Sequence, residues 1–207
     1  MTIFRFKSPF NRNNKFTELE IDPVTKRKLI KDEENVLTSS ATDRCKIETM
    51  NFDIIVKPSS NDNISYKVFL EKGKEEDIKI SANELNRTFT ITIKEKRSNQ
   101  IGGVLIIEVP SLFGLIINTT NGDIGGKVLT AKEIDFKTTN GNITVNSSSF
   151  NSANIKTTNG NITVKTIRDI YSIYADTTNG DIDCRIKNDS QGKKINCITT
   201  NGDITII

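Results

Sequence analysis

From Ser111 to Ile207 apolar and polar residues alternate, and an Asn-Gly pair interrupts the alternation at near-regular intervals. Aligned on T-T-N-G-[DN]-I, this stretch holds five copies, with glycines at 122, 141, 160, 180 and 202 and spacings of 19, 19, 20 and 22 residues. "KTTNGNITV" even occurs twice unchanged, at 137–145 and 156–164. Self-similarity at such a period marks a repeat architecture.

Each copy is numbered here from the first Thr of its pair. Four positions before it stand Leu115, Ile134, Ala153, Ile173 and Ile195, and two before it Ile117, Phe136, Ile155, Ala175 and Cys197. Five after it stand Ile124, Ile143, Ile162, Ile182 and Ile204, and seven after it Gly126, Val145, Val164, Cys184 and Ile206. Lys, Asp, Asn and Thr fill most places between. Period-two alternation on both sides of an Asn-Gly turn predicts two short strands per copy, each burying one face. "CKIETMNFDIIV", 45–56, fits the same template with Thr49 at position zero, a degenerate sixth copy with Phe52 in place of Gly. Cys45, Cys184 and Cys197 all fall on inward positions, where a free thiol packs as a small hydrophobe.

Two arrangements satisfy this parity. Asn-Gly is a strong hairpin signal, and a meander with one hairpin per copy is the simpler reading. A meander of ten strands, however, buries one face and needs a second layer, whereas coils fold their strands over each other. Turns stacked at about 4.8 Å also form ladders in which each Asn and Thr bonds its copy above and below, which demands the same residue every time. The expected fold is therefore all-β, a β-solenoid of coils of 19–22 residues preceded by a β-rich cap region. The structural ladder comprises Asn121, Gly122, Asn140, Gly141, Asn159, Gly160, Asn179, Gly180, Asn201 and Gly202. Its glycines are expected where the chain reverses with φ above zero.

The strand-like runs "ISYKVFLE", "RTFTITIKE" and "VLIIEVP" lie between the degenerate copy and the array. The layout expected is thus an irregular or partly helical lead-in over 1–40, a β-rich region over 41–110 and the solenoid over 111–207.

Composition narrows the function. The formal charge of +3 comes from 29 basic and 26 acidic residues mixed along the chain, with no nucleic-acid tail or patch. There is no histidine, and the three cysteines match no metal spacing, so neither a zinc site nor a His-based triad can be built. "MTIFRFKSPFNRNNKF" lacks the apolar core of a signal peptide, and no run approaches the roughly 20 apolar residues of a membrane helix. Cytoplasmic localisation follows as the expectation.

"VLIIEVPSLFGLIINTTNGDI", 104–124, followed by the repeats, resembles the bacterial adhesin-like family of unknown function called DUF4097, over roughly residues 41–207. The resemblance implies an all-β solenoid after a strand ending in Val-Pro. It also implies a bacterial source, association with the cell envelope and its stress responses, and no established catalytic activity.

β-helices also carry polysaccharide lyases and hydrolases, whose sites gather carboxylates on one outward face. Here Asp123, Asp181 and Asp203 share their position with Asn142 and Asn161, which reads as a turn-capping ladder. The same exchange leaves little anionic oxygen for calcium between coils. No catalytic residue, metal or cofactor is expected. Thr120, Thr139, Thr158, Thr178 and Thr200 form the most regular outward column and the candidate recognition face for an unidentified protein or glycan. The reading is a non-enzymatic interaction scaffold linked to the envelope; the alternatives are a cytoplasmic partner of an envelope-stress system and a carbohydrate-active enzyme. Finally, "TTNGDITII" ends with Ile204 and Ile206 on the inward parity and nothing to blunt the last strand. A homodimer through the C-terminal coil is expected to cover it.

Overall fold

The computed structural model describes residues 27–36, 41–71, 74–96, 101–167 and 170–207. Among them the chain forms β1 (Arg27–Val36), β2 (Arg44–Glu48), β3 (Phe52–Pro58), β4 (Ile64–Glu71), β5 (Ile78–Leu85), β6 (Thr88–Glu95), β7 (Gly103–Val109) and β8 (Gly114–Asn118). There follow β9 (Ile124–Lys127), β10 (Thr130–Lys137), β11 (Ile143–Lys156), β12 (Ile162–Thr166), β13 (Tyr171–Asn179), β14 (Ile182–Cys184), β15 (Lys193–Asn201) and β16 (Ile204–Ile206).

The repeats are coils, not hairpins. Strands of equal repeat position pair in parallel: Ile124 beside Ile143, Ile143 beside Ile162, and Leu115 beside Ile134 beside Ala153. In every copy one strand precedes the Asn-Gly turn and one follows it, so the two rows become two facing sheets. One sheet runs β1-β4-β7-β3-β9-β11-β12-β16-β14, the other β5-β6-β2-β8-β10-β11-β15-β13. β11 belongs to both, its first half in one sheet and its second half in the other. The fold is an all-β solenoid, as the alternation predicts.

The degenerate copy takes its place in register. β2 pairs with β8 so that Cys45 meets Leu115 and Ile47 meets Ile117, and β3 pairs with β9 so that Ile54 meets Ile124. Phe52, which stands where the other copies have Gly, fits because its outer neighbour is Gly103; a Cβ there would lie 2.3 Å from the Phe52 ring. Beyond this coil the strands of the cap region extend both sheets. β7 continues the parallel order, and β4 and β1 close it with antiparallel pairs, while β6 and β5 form a hairpin on the other side. One apolar core runs from Cys45 to Ile206 without a break at residue 110.

Three expectations are corrected here. Residues 27–36, read as irregular or helical, form a strand against β4; the rest of the stretch 1–40 lies outside the described residues. The second concerns order. The fifth copy, not the fourth, stacks on the third: β15 pairs with β11 and β16 with β12. The fourth copy then stacks on the outside of the fifth, β13 on β15 and β14 on β16. The chain leaves the third coil, skips one place, makes the end coil and returns to fill the gap. Ile204 and Ile206 are consequently 0% exposed, and the coil at the end of the stack is copy four.

The third correction concerns Cys184. It keeps the inward parity, but its coil is the end one and the thiol is exposed, whereas Cys45 and Cys197 are buried. Burial alone pushes the Cys45 thiol up to about 12. Copy four suits the end because Ala175 and Cys184 make its inward face small. Its return loop also blunts part of the edge: the Asn188 side chain accepts from Ile173 N–H at 3.0 Å and donates to Ile173 O at 3.1 Å.

Candidate functional site

The turn edge is built from three ladders, each set by one residue type of the motif. The Asn ladder is the outermost. Asn121 Nδ2 donates to Asn51 Oδ1 at 2.7 Å, Asn140 to Asn121 at 2.7 Å and Asn159 to Asn140 at 2.7 Å. Asn201 then donates to Asn159 at 2.7 Å, and Asn179 to Asn201 at 2.8 Å. All the amides point the same way. Asn51 Nδ2, at the far end, donates to the Glu95 carboxylate. A row of aligned amides carries a cumulative dipole, and an anion at its donor end is the favourable termination.

The Thr at position zero is buried in every copy but the fourth, where Thr177 is half-buried, and its hydroxyl works differently from the copy-to-copy bond expected. Thr138 donates to Gly122 O at 3.0 Å, Thr157 to Gly141 O at 2.9 Å, Thr199 to Gly160 O at 3.0 Å and Thr177 to Gly202 O at 2.9 Å. It thereby satisfies a main-chain carbonyl of the neighbouring turn. Among the described residues only the first rung has Thr bonding Thr, Thr49 to Thr119 at 3.0 Å.

Position four explains the mixture of Asp and Asn. Its Oδ1 accepts the main-chain N–H of the same position in the next coil: Asn142 to Asp123 at 2.7 Å, Asn161 to Asn142 at 2.8 Å, Asp203 to Asn161 at 2.8 Å and Asp181 to Asp203 at 3.0 Å. Only an acceptor oxygen is required, and both residues have one. The carboxylates are therefore engaged in holding coils together. Burial pushes the Asp123 carboxyl above its usual range, against the pull of the Asn142 N–H groups that bond it.

Asp123→Asn is accordingly expected to raise Tm at pH 7, since the acceptor stays and the buried charge goes. The ionisation penalty is present above the raised folded pKa and vanishes below the ordinary value of 3.8. The gain should therefore shrink as the medium is acidified through that window. A Tm at pH 7 equal to or below that of the parent would show that burial of this charge carries no penalty.

The glycines are required for a reason other than the one expected. Of the turn glycines only Gly202 has a φ in the positive region, at 152°. What excludes a side chain is the coil beneath. A Cβ on Gly141 would lie 2.1 Å from Gly122 O, on Gly160 2.0 Å from Gly141 O, and on Gly180 2.1 Å from Gly202 O. Glycine lets successive turns approach to contact distance.

The sequence-predicted ladder residues thus all meet at one edge, together with Asn51 and Asp53 of the degenerate copy. The spacing T-x-N-x-D at Thr49 already carried that signal. Outside the ladder Thr139, Thr158, Thr178 and Thr200 are exposed and Thr120 is half-buried. Among the described residues no group of three or more Cys, Asp or Glu is placed to hold a metal ion, and no helix is long and apolar enough to cross a membrane.

A stack of TTNG[DN]I coils behind a Val-Pro strand defines a class, and comparison with known proteins agrees with it. Residues 107–207 match the model of the Toastrack DUF4097 family. A crystal structure of a candidate cell adhesion protein from Clostridium sporogenes shares the fold, with a TM-score of 0.64 at 15% identity over 86% of this chain and 99% of that one. Candidate adhesins from Parabacteroides merdae and Parabacteroides distasonis are more distant. Their TM-scores are 0.48 and 0.47, at 12% and 14% identity, over 87% of this chain and 81% and 82% of theirs. No protein of curated function matches the sequence.

Proposed function

We propose that the protein is a non-catalytic interaction scaffold of adhesin type acting at the bacterial envelope, with the turn edge as its recognition face. The observation that carries this reading is the paired column of exposed Thr and Asn on four of the coils, Thr139, Thr158, Thr178 and Thr200 beside Asn140, Asn159, Asn179 and Asn201, held in register by the Asn ladder. A rigid row of hydroxyls and amides at about 4.8 Å suits an extended polymer with a short repeat, such as a surface glycan. The ladder carboxylates accept main-chain amides, which favours a structural use for them over proton transfer. The adhesin names of the similar structures support the class and nothing finer.

The test is binding of the full chain to immobilised envelope polysaccharides beside the variant Thr139→Lys/Thr158→Lys. Retention of the parent and loss of the variant, with equal Tm, is the expected result. Retention of both, or turnover of a polysaccharide by the parent, would refute the reading.

A further inference from the structure

The five Asn-Gly pairs share one sequence context, T-T-N-G, but not one environment. Asn before Gly is the pair most prone to lose its side-chain amide. The main-chain nitrogen of the next residue can attack the amide carbon, and glycine puts no side chain in its way. Bonds that hold the amide in place oppose this attack, and so does a bond that engages the attacking N–H.

The stack supplies both to the inner coils. The amides of Asn121, Asn140, Asn159 and Asn201 are held on two sides, donating through Nδ2 and accepting at Oδ1. Gly141 N–H donates to Asn159 O at 3.1 Å, Gly160 N–H to Asn201 O at 3.0 Å and Gly202 N–H to Asn179 O at 3.0 Å, each in the next coil outward. Gly122 is buried. Copy four has no coil outside it. Asn179 Nδ2 donates to Asn201 at 2.8 Å, but among the described residues no donor meets Asn179 Oδ1 and no acceptor meets Gly180 N–H. Both residues are exposed.

We infer that Asn179 is a site of deamidation in the folded protein, and that the stack protects the four identical pairs. The Gly180 nitrogen bonds to Asn179 Cγ as the Cγ–Nδ2 bond breaks, and Nδ2 leaves as ammonia with the hydrogen that Gly180 gives up. Water then opens the cyclic imide at either carbonyl. The product is aspartate, or isoaspartate in which the main chain runs through Cγ. Either product removes the donor to Asn201 Oδ1 and sets a negative charge at the end of the Asn column. The inference rests on hydrogen bonding at the end coil, so it stands or falls apart from the glycan reading.

The full chain, folded or in urea, is incubated at mildly alkaline pH and digested with trypsin, which puts the five pairs on five different peptides. Mass spectrometry reads the exchange of amide for acid on each. In the folded protein the Asn179 peptide is expected to convert about tenfold or more faster than any of the other four. In urea the five should convert alike. Another pair converting as fast as Asn179 in the folded chain, or no conversion there, would overturn the assignment. An equal lead for Asn179 in urea would do so too, since the difference would then not come from the stack.

Discussion

Gly160→Val is expected to destabilise the protein by at least about 3 kcal/mol, enough to leave little folded chain at 37 °C. Its Cβ would lie 2.0 Å from Gly141 O and 2.6 Å from the carbonyl carbon. Both atoms belong to main chain already fixed by the Thr157 hydroxyl and by the coils on either side. The neighbour cannot give way without breaking rungs above and below, so the cost does not stay local. Gly102→Ala is the matched control. Its Cβ would meet only Asn51 O, at 3.5 Å, an ordinary contact, and a change within about 1 kcal/mol is expected. Urea unfolding of the two variants decides it. A Gly160→Val midpoint close to that of the parent would mean that the turns do not stack at contact distance.

The second large effect separates two isoleucines that the repeat makes equivalent. Ile182 and Ile204 both stand five residues after their Thr pair and lie side by side in parallel strands. Ile204 is 0% exposed and Ile182 is 47% exposed. Ile204→Lys places an ammonium between the third and fourth coils with no partner, and a loss of about 4 kcal/mol or more is expected. Ile182→Lys leaves the ammonium at the open end of the stack, where a loss within about 1 kcal/mol is expected. Thermal unfolding of the pair should therefore show one variant barely folded and the other near the parent. The reverse pattern would put the last coil at the end.

That contrast also shows where sequence reasoning stops. The coils, their register and the degenerate copy were legible because period-two alternation and a fixed turn leave one consistent set of inward positions, from Cys45 to Ile206. Stacking order was not, because the ladder chemistry is the same in every copy. Asn201 Nδ2 can donate to Asn159 as well as Asn179 could, and no local preference chooses between them. The clues are indirect. Ala175 and Cys184 make copy four a thin slab, and the polar loop "KNDSQGKK" after it supplies Asn188 to blunt the edge.

The function of glycine was misread for a similar reason. Asn-Gly signals a left-handed turn in a hairpin, whereas in a stack the constraint comes from a neighbour 19 residues away in sequence, whose carbonyl no local pattern reveals. The strand at 27–36 was hidden because "RKLIKDEENV" is charged and weakly alternating, and pairing with β4 decides its conformation. On the candidate site, the Thr and Asn columns were legible as an outward array. The positive φ of Leu112 and Val128 was not, because it arises from main-chain conformation at the passages and has no periodic signature.

Coils template one another, and the last one is inserted beside the third. Cysteine pairs at the exposed Asn column test this directly, in a background with Cys45, Cys184 and Cys197 replaced by Ala or Ser. Adjacent rungs bring Cα atoms to about 4.8 Å, within the range a disulfide spans, while rungs two apart are at about 9.6 Å and beyond it. Asn159→Cys/Asn201→Cys and Asn179→Cys/Asn201→Cys should each oxidise to an intramolecular disulfide in the folded protein, and Asn159→Cys/Asn179→Cys should keep two free thiols. A disulfide in the 159–179 pair with free thiols in the 159–201 pair would contradict the structure.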